Sequence, residues 1–340
     1  MEKDMQRNVK PVLSSAAALL ALLVTLCVTA LSCQSGQAQK KTLRVLYWNI
    51  QNGMWAEQGK DYADFVDWVA KNDPDICIFC EASTIYHTGT STYMDKADRY
   101  LPDHWGELAA RYGHKYWFKG GQRDNYPQVI TSKYPIDSVA TFIGVEPDSL
   151  INHGAGWAQI RLEGVSRPLN LVCCHLKPFA YGYKVPKELQ QESAARFEGD
   201  QYRRREVQWI LHHTVGTRAH PEQELWLMAG DFNSRSRKDN AKYQEAEDSP
   251  TFMVHDFMTS EASPYLDLVA ERNPGVFCKS HASDRRIDYI YVTAPLLDAC
   301  EKVLTEPDAY TTPVQSADVE KFHIPSDHLP IIVDFSIGKL

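Results

Sequence analysis

The run Leu-Trp-Leu-Met-Ala-Gly-Asp-Phe-Asn at residues 225–233 constrains the fold more than any other stretch of the chain. An apolar run of strand length stops at a glycine, and Asp231 and Asn233 follow two residues apart. On an extended backbone such a pair points to one side of the strand. A buried strand is therefore expected to carry both polar side chains to the rim of a sheet, where ligands usually bind in α/β folds. Taken alone, the stretch also suits an ordinary turn.

Strand-like runs outnumber helical ones along the rest of the chain. Residues 43–80 read as strand, helix, strand, which suggests a βαβ-like start. The pattern as a whole predicts a mixed α/β protein with two sheets packed face to face and helices outside. Helices are predicted over residues 61–71, 105–112, 188–213 and 251–258, and further strands over residues 116–118, 128–131, 139–143, 157–162, 169–174, 286–292 and 331–335.

The N-terminus has the pattern of an export signal. Three basic residues precede a largely apolar run from Val12 to Leu31. Residues 30–33, Ala-Leu-Ser-Cys, resemble a bacterial lipoprotein cleavage box, which predicts a signal peptide over 1–32, a lipid on Cys33 and a short tether over 33–41. Cleavage after Ala38 and a retained membrane anchor are the alternatives, because the run is about 20 residues long. No acidic run follows Cys33, which favours a periplasm-facing anchor.

Residues 42–340 are predicted to form one large domain, because they contain no linker-like tract and no short repeat. The whole chain has a net charge of −8, and its first 32 residues hold three basic and two acidic side chains, so their removal leaves −9. An acidic surface repels phosphate backbones, which argues against a non-specific nuclease. Four cysteines lie in apolar runs and are expected in the core (Cys77, Cys80, Cys173 and Cys174), whereas pairing of Cys278 with Cys300 stays open.

Polar residues recur at the ends of the predicted strands. Each has a plain structural explanation, such as a turn, a solvated strand end, or a surface ion pair between Asp288 and Arg286. Polar residues at so many strand ends are much less probable by chance than a polar residue at any single strand end. Convergence on a single site is therefore predicted for Asn49, Glu81, His175, Asp231, Asn233, Asp288, Asp327 and His328.

With these residues the chain resembles the endonuclease/exonuclease/phosphatase superfamily, which has the DNase I-like fold. The resemblance implies a four-layered α/β sandwich that hydrolyses a phosphate ester with a divalent metal. Cys80 is a departure, because the family usually has glutamine before the metal-binding glutamate. The matching segments are residues 48–53, 75–81, 131–136, 174–178, 230–233, 286–290 and 326–330, which together span nearly all of the exported chain.

The resemblance also implies a role for each polar residue. Glu81, Asn49 and Asp327 would be the metal ligands, and oxygen donors without a cysteine cluster suit Mg²⁺ or Mn²⁺, with Ca²⁺ as an alternative. Asp231 would orient and deprotonate the attacking water. Asn233 and Asn49 would hold the phosphate and the Asp231 carboxylate. His328 would donate to a phosphoryl oxygen, and Asp288 would fix the tautomer and charge of His328. His175 would be the second donor.

Substrate choice is expected to depend on loops. The loop from Phe179 to about Pro186 contains Tyr181, Tyr183 and Lys184 and follows His175 directly, so it is a candidate lip for the leaving group. Gln128 is a further candidate, and surface packing is the alternative for all four residues.

Three functions suit this pattern. The favoured one is an exported phosphoesterase acting on a small or lipid-derived phosphodiester or phosphomonoester. Such an enzyme would be a monomer that touches membrane only through its lipid anchor. A secreted DNA or RNA nuclease is the second, although nucleic acid is not the favoured partner. A binding protein on a decayed enzyme fold is the third.

Overall fold

A computed structural model describes residues 41–54, 58, 60–84, 96–145, 150–317 and 322–340. Residues 41–340 form a compact unit. The predicted signal peptide, the lipid site at Cys33 and the tether up to residue 40 lie outside the described residues. Within the described ranges, no helix has both the length and the apolar character needed to cross a bilayer.

Two six-stranded sheets form the centre of this unit. The strands are β1 (Thr42–Asn49), β2 (Ile76–Cys80), β3 (Tyr116–Lys119), β4 (Val129–Ser132), β5 (Ile136–Phe142), β6 (Ala155–Ile160), β7 (Leu169–His175), β8 (Leu225–Asp231), β9 (Leu266–Asp267), β10 (Asp288–Val292), β11 (Cys300–Leu304), β12 (Val314–Gln315), β13 (His323–Ile324) and β14 (Ile331–Ser336). The strand order is β11-β14-β1-β2-β4-β3 in the first sheet and β5-β6-β7-β8-β10-β9 in the second, and β12 and β13 form a separate ribbon.

Both sheets are mixed. The pairs β1–β2 and β7–β8 are parallel, and the other pairs are antiparallel. The parallel pairing of β1 with β2 confirms the predicted βαβ-like start. The helices are α1 (Gln51–Met54), α2 (Ala63–Asn72), α3 (Trp105–Arg111), α4 (Gln190–Ala195), α5 (Glu198–His213), α6 (Asn240–Tyr243), α7 (Met253–Met258), α8 (Leu268–Arg272) and α9 (Ala294–Ala299).

Strand alternation explains the layers. In β1, Tyr47 belongs to the apolar cluster between the two sheets, whereas Trp48 packs on the outer side with α2 and α3. In β7, Cys173 faces the inter-sheet cluster and Val172 faces outward toward α5 and α7. The sheets therefore each bury two faces, and the predicted sandwich of two face-to-face sheets with helices outside is confirmed.

The helix predicted over residues 188–213 is wrong as a single element. The structure has α4 and α5 with a break at Phe197, whose φ of 57° lies in the left-handed region. At Gly199 a Cβ would overlap the backbone of Phe179 and Ala180, and the Gly199 N–H donates to Ala180 O at 2.9 Å. This close approach of the preceding loop turns the chain and separates the two helices.

The cysteines are all reduced in the described part of the chain. Cys77, Cys80, Cys173 and Cys174 are buried, as predicted. Cys278 and Cys300 are free thiols, so the structure contains no bond between them.

Candidate active site

The polar residues at the strand ends continue the inward side of their strands. Asn49 follows the inward-facing Tyr47 by two residues, and Asp231 follows Ala229 in the same way. His175 likewise follows Cys173. The period of two thus turns each of these side chains toward the gap between the sheets, where the apolar core stops.

Strand register then brings the ends together. His175 is paired with Asp231 across β7 and β8, and Asp288 is paired with Asp231 across β8 and β10. Two side-chain hydrogen bonds join the sheets at this level. Asn49 Nδ2 donates to Asp231 Oδ2 at 3.1 Å, and the Tyr47 hydroxyl donates to Asp288 Oδ1 at 2.7 Å.

Asp231 lies at the centre of the cluster. Its Oδ1 accepts the Asn233 N–H at 2.8 Å, and His175 Nε2 lies 3.5 Å from its Oδ2. The side chain of Asn233 itself donates from Nδ2 to Leu176 O at 3.2 Å. Burial, followed by the charge of Asp288, raises the pKa of Asp231 well above that of an ordinary carboxyl. Asp231 is therefore a stronger proton acceptor than an exposed aspartate.

Asp288 and His328 form a buried pair. Asp288 Oδ2 lies 2.7 Å from His328 Nδ1, so Nδ1 carries a proton and Nε2 points elsewhere. The Ser280 hydroxyl donates to the same Asp288 oxygen at 2.7 Å and accepts the Ile287 and Asp288 N–H groups at 3.0 Å. These hydrogen bonds fix the position of the Asp288 carboxylate, which in turn holds the His328 imidazole in one orientation.

The charge of His328 follows from its surroundings. Burial alone lowers the pKa of this imidazole, but Asp288 and then Asp327 outweigh it and raise the pKa well above its usual value. His328 Nε2 lies 3.8 Å from Asp231 Oδ2 and 3.7 Å from Asp327 Oδ1. A positively charged donor is therefore held between two carboxylates.

Glu81 keeps its support despite the cysteine at position 80. Its Oε2 accepts the Asn52 N–H at 2.9 Å, and its Oε1 accepts from Asn49 Nδ2 at 3.3 Å. Burial, followed by the charge of Asp327, raises the pKa of Glu81. Cys80 instead donates its thiol to Cys174 O at 3.2 Å, across the two sheets. Asn49 Oδ1 accepts the Gln51 N–H at 3.1 Å, which orients the amide. Asn49 Nδ2 then donates to both Glu81 and Asp231 and so links the two carboxylates.

Asp327 has one carboxylate oxygen that accepts no hydrogen bond from the described residues. Its Oδ2 lies 3.4 Å from His281 Nε2, whereas its Oδ1 is buried and has no hydrogen-bond partner among the described residues. Burial works to raise the pKa of Asp327, but the charge of His328 and the contact with His281 outweigh it and lower the pKa. The carboxylate is therefore ionised and incompletely satisfied.

His175 differs from His328 in charge. Burial, followed by the electrostatic effect of the neighbouring His153 and His328 side chains, lowers the pKa of His175 well below its usual value. The rings of His153 and His175 lie 4.2 Å apart between centroids. His153 is tied by Nδ1 to Asp124 Oδ2 at 2.7 Å. A neutral imidazole thus faces Asp231 from one side and a charged one from the other.

One cavity of about 680 Å³ contains these side chains. Of the eight predicted site residues, six line it and the other two, Asn49 and Asp288, lie buried directly behind it. Beyond the eight strand-end residues, the described lining residues are Gln51, Asn52, Asp124, Tyr126, Asn152, His153, Pro178, Phe179, His281, Arg285, Ile287 and Phe322.

Most of the candidate substrate loop lies outside the lining of the cavity, unlike the strand ends. Phe179 lines the cavity and stacks on Tyr181 with ring centroids 5.1 Å apart. Tyr181, Tyr183 and Lys184 are not among the described residues that line the cavity. Gln128 is buried, and its Nε2 donates to Tyr126 O at 3.1 Å, which holds the neighbouring loop.

The chemistry of the donors fits a hard cation. Glu81 and Asp327 offer carboxylate oxygens, and Asn52 Oδ1 is a second buried oxygen without a hydrogen-bond partner among the described residues. Unsatisfied buried oxygens are costly unless a positive group meets them. Two compact groups of ligand atoms also lie here, one of His281, Asp327 and His328 and one of Asp231, Asp288 and His328. Carboxylate and amide oxygens of this kind are the ligands that hard divalent cations prefer.

The fold and the site define a class, the α/β sandwich of nucleases and phosphatases. The model of the Endonuclease/Exonuclease/phosphatase family matches residues 46–328. The chain belongs to this family, whose members are typically hydrolases of phosphate esters and generally depend on divalent metals.

Solved structures share the fold at low identity, and each comparison covers 87% of this chain. An AP endonuclease from Archaeoglobus fulgidus has a TM-score of 0.52 at 15% identity over 100% of its length. An endonuclease/exonuclease/phosphatase from Beutenbergia cavernae has 0.56 at 15% over 72%, and the human nocturnin catalytic domain with bound sulfate has 0.54 at 14% over 94%. None of the curated proteins compared matches the chain.

Proposed function

We propose that the protein is a divalent-metal-dependent hydrolase of a small or lipid-derived phosphate ester, either a phosphodiester or a phosphomonoester. One observation carries the proposal. Three carboxylates, those of Glu81, Asp231 and Asp327, share a single cavity with the imidazoles of His175 and His328. A cavity that combines a base, imidazole donors and oxygen ligands supports in-line attack of water on a phosphoryl group.

Asp231 would orient the attacking water and take its proton at Oδ2. Asn49 donates to that oxygen, and the Asn233 N–H holds the other one. The raised pKa of Asp231 brings its basicity closer to neutral pH, where a general base works best.

His328 would donate from Nε2 to a phosphoryl oxygen. Its Nδ1 is held by Asp288, so Nε2 is the nitrogen left to face the cavity. His175 would donate as a neutral imidazole to the phosphate or the leaving group, because its pKa is depressed. A bound divalent cation, held by Glu81 and Asp327, would polarise the phosphoryl group and offset its negative charge.

The preference for small or lipid-derived esters rests on charge. Arg285 is the only lysine or arginine among the described residues lining the cavity. Binding of a nucleic-acid backbone relies on several such cations. The apolar lining residues Phe179, Pro178 and Tyr126 suit an uncharged or partly apolar leaving group.

Export as a lipoprotein is part of the proposal and is supported by the sequence alone. Cys33 would carry the lipid, and the protein would face the periplasm. Labelling with a radioactive fatty acid in the native host should mark the wild-type chain and not Cys33→Ser. The matched control Cys27→Ser should be labelled like wild type. Equal labelling of all three chains would contradict a lipid anchor on Cys33.

A substrate panel tests the activity. The purified full chain should be assayed with phosphomonoesters, phosphodiesters, phospholipids and plasmid DNA, each with Mg²⁺, Mn²⁺, Ca²⁺ or a chelator. We expect chelator-sensitive release of product from a small or lipid ester. Metal-dependent plasmid degradation that falls steeply with salt would instead identify a nuclease, and no turnover on any ester would favour the binding-protein alternative.

A further inference from the structure

His281 lies beside Asp327 because of backbone hydrogen bonds. The Ala282 N–H donates to Asp327 O at 2.7 Å, and the Leu329 N–H donates to Ser280 O at 2.8 Å. These two bonds align residues 280–282 with residues 327–329. The same alignment places the His281 ring edge-on to the His328 ring, with centroids 4.7 Å apart.

The tautomer of His281 is fixed by Ser283. The Ser283 N–H lies 2.9 Å from His281 Nδ1, and the Ser283 hydroxyl lies 2.7 Å from the same nitrogen. A backbone N–H only donates, so Nδ1 is an acceptor. Arg285 Nε donates to the Ser283 hydroxyl oxygen at 2.7 Å, which leaves the hydroxyl hydrogen for Nδ1. The proton of the neutral His281 ring is therefore on Nε2.

This tautomer decides what His281 does to Asp327. Nε2, the nitrogen that carries the proton, lies 3.4 Å from Asp327 Oδ2. Asp327 Oδ1 is left as the oxygen without a hydrogen bond. We propose that His281 is a positioning residue that engages Asp327 Oδ2 and thereby presents Oδ1 to the divalent cation. The inference rests on the proposed metal-dependent function.

The main alternative is that His281 binds the metal itself, since its ligand atom lies close to those of Asp327 and His328. That arrangement needs a lone pair on Nε2 and hence a proton on Nδ1. The Nδ1 proton would then point at the Ser283 N–H across 2.9 Å. Two N–H groups that point at each other repel, so a proton on Nδ1 is unfavourable here. The hydrogen bonds therefore support the positioning role of His281.

Binding of Mn²⁺ to the metal-free full chain tests the inference without any turnover. The loss of the free-Mn²⁺ signal in electron paramagnetic resonance gives the affinity. We expect His281→Ala to bind Mn²⁺ about 10–100-fold more weakly, the usual effect of removing a hydrogen-bond partner of a metal ligand. His281→Gln should recover most of the affinity, because its amide N–H can reach the same carboxylate oxygen. His104→Ala, a change at an exposed histidine paired with Glu107, is the matched control and should bind like wild type.

Pulsed resonance on bound Mn²⁺ separates positioning from ligation. Wild type and His281→Gln should show the same nitrogen coupling, because His281 contributes no ligand atom. A coupling that disappears in His281→Gln would overturn the inference, as would wild-type affinity in His281→Ala. If wild type binds no Mn²⁺, the proposed metal-dependent function fails and this inference fails with it. Equal melting temperatures of the metal-free variants establish that folding is intact, and His281→Gln carries the test if His281→Ala does not fold.

Discussion

Asp288 Oδ2 lies 2.7 Å from His328 Nδ1, and this contact sets the tautomer of the imidazole and, together with the charge of Asp327, raises its pKa. Replacing Asp288 with Asn removes the charge that keeps the pKa of His328 raised. A group with a raised pKa keeps its proton until the pH rises through that pKa, so a lower pKa means earlier loss of the donor. We expect Asp288→Asn to reduce kcat by about 10²–10³ and to shift the alkaline limb of the pH–rate profile to lower pH. An unshifted alkaline limb would contradict the assigned role.

Asp231→Ala and His328→Ala are each expected to abolish hydrolysis while the fold survives. Loss of a general base or a charged donor typically costs about 10²–10⁴ in rate. Turnover should be measured with a chelator control, and near-ultraviolet circular dichroism checks the fold. Wild-type-like turnover in either variant would refute these assignments.

Asp231→Asn should separate activity from stability. The pKa of Asp231 is raised to about 8, mainly by burial, so the free energy of unfolding falls as the pH rises from about 4 to about 8. A neutral amide relieves this cost, so the variant should melt no lower than wild type at pH 7 while hydrolysis is lost. The relative advantage should vanish below about pH 4, where Asp231 is protonated in the unfolded chain as well as in the folded state. A large loss of stability at pH 7 would show that the carboxylate is needed for folding.

Divalent cations should stabilise the fold through Asp327. Any ligand that binds only the folded state stabilises it, by about 2.7 kcal/mol at 100 times its Kd. Mg²⁺ or Mn²⁺ should therefore raise the melting temperature of wild type and not that of Asp327→Ala. Asp298→Ala removes an exposed carboxylate at the end of α9 and serves as the control, with a shift like that of wild type. Equal shifts in Asp327→Ala would remove this residue from the metal site.

Glu206 should make stability depend on pH. This carboxyl on α5 is buried, accepts the Asn152 N–H at 2.6 Å and the Lys177 N–H at 3.0 Å, and its pKa is raised to about 7, mainly by burial. Its folded-state pKa exceeds the unfolded one, so the folded state binds the proton more tightly. The free energy of unfolding should therefore fall as pH rises from about 4.5 to 7, by up to about 3 kcal/mol. Urea unfolding of Glu206→Gln should lack this component, and identical slopes in both proteins would contradict it.

Arg286 should be needed for folding and not replaceable by lysine. Its Nε donates to Asp239 Oδ2 at 2.7 Å, and its other two nitrogens donate to Asp267 at 3.1 and 2.7 Å. All three side chains are buried, so Arg286→Ala leaves two carboxylates without a partner, at a cost of about 3–5 kcal/mol. Arg286→Lys cannot reproduce the planar fork and should recover little of this loss. Denaturant unfolding measures both changes, and full recovery by lysine would argue against the fork.

Strand periodicity explains why much of the site could be predicted from the sequence. Asn49, His175 and Asp231 sit two residues beyond apolar inward-facing positions, and this pattern is visible without coordinates. Buried strands of this kind also predict two sheets and their layers. Local pattern therefore predicts both the fold class and the strand-end half of the cavity.

The site residues that could not be predicted from the sequence are brought to the site by long-range packing. Ser280 and His281 precede β10 in a segment without periodicity, and only backbone bonds to residues 327–329 bring them to the site. The sequence allows Arg286 to be a surface partner of Asp288, whereas the structure buries it against Asp239 and Asp267. Such pairings depend on chain crossings that no local signal encodes. The His153–Asp124 pair joins two loops for the same reason.

The pairing of His175, Asp231 and Asp288 in adjacent strands separates two tasks within one molecule. The candidate catalytic groups are placed by backbone ladders, whereas Pro178 and Phe179 of the connecting segment after β7 line the cavity. Exchanges beyond Lys177 would change the cavity wall at Pro178 and Phe179 and leave the backbone bond between Leu176 and Asp231 in place. The protein is thus a natural starting point for engineering, in which new specificities are grafted onto an unchanged chemical centre.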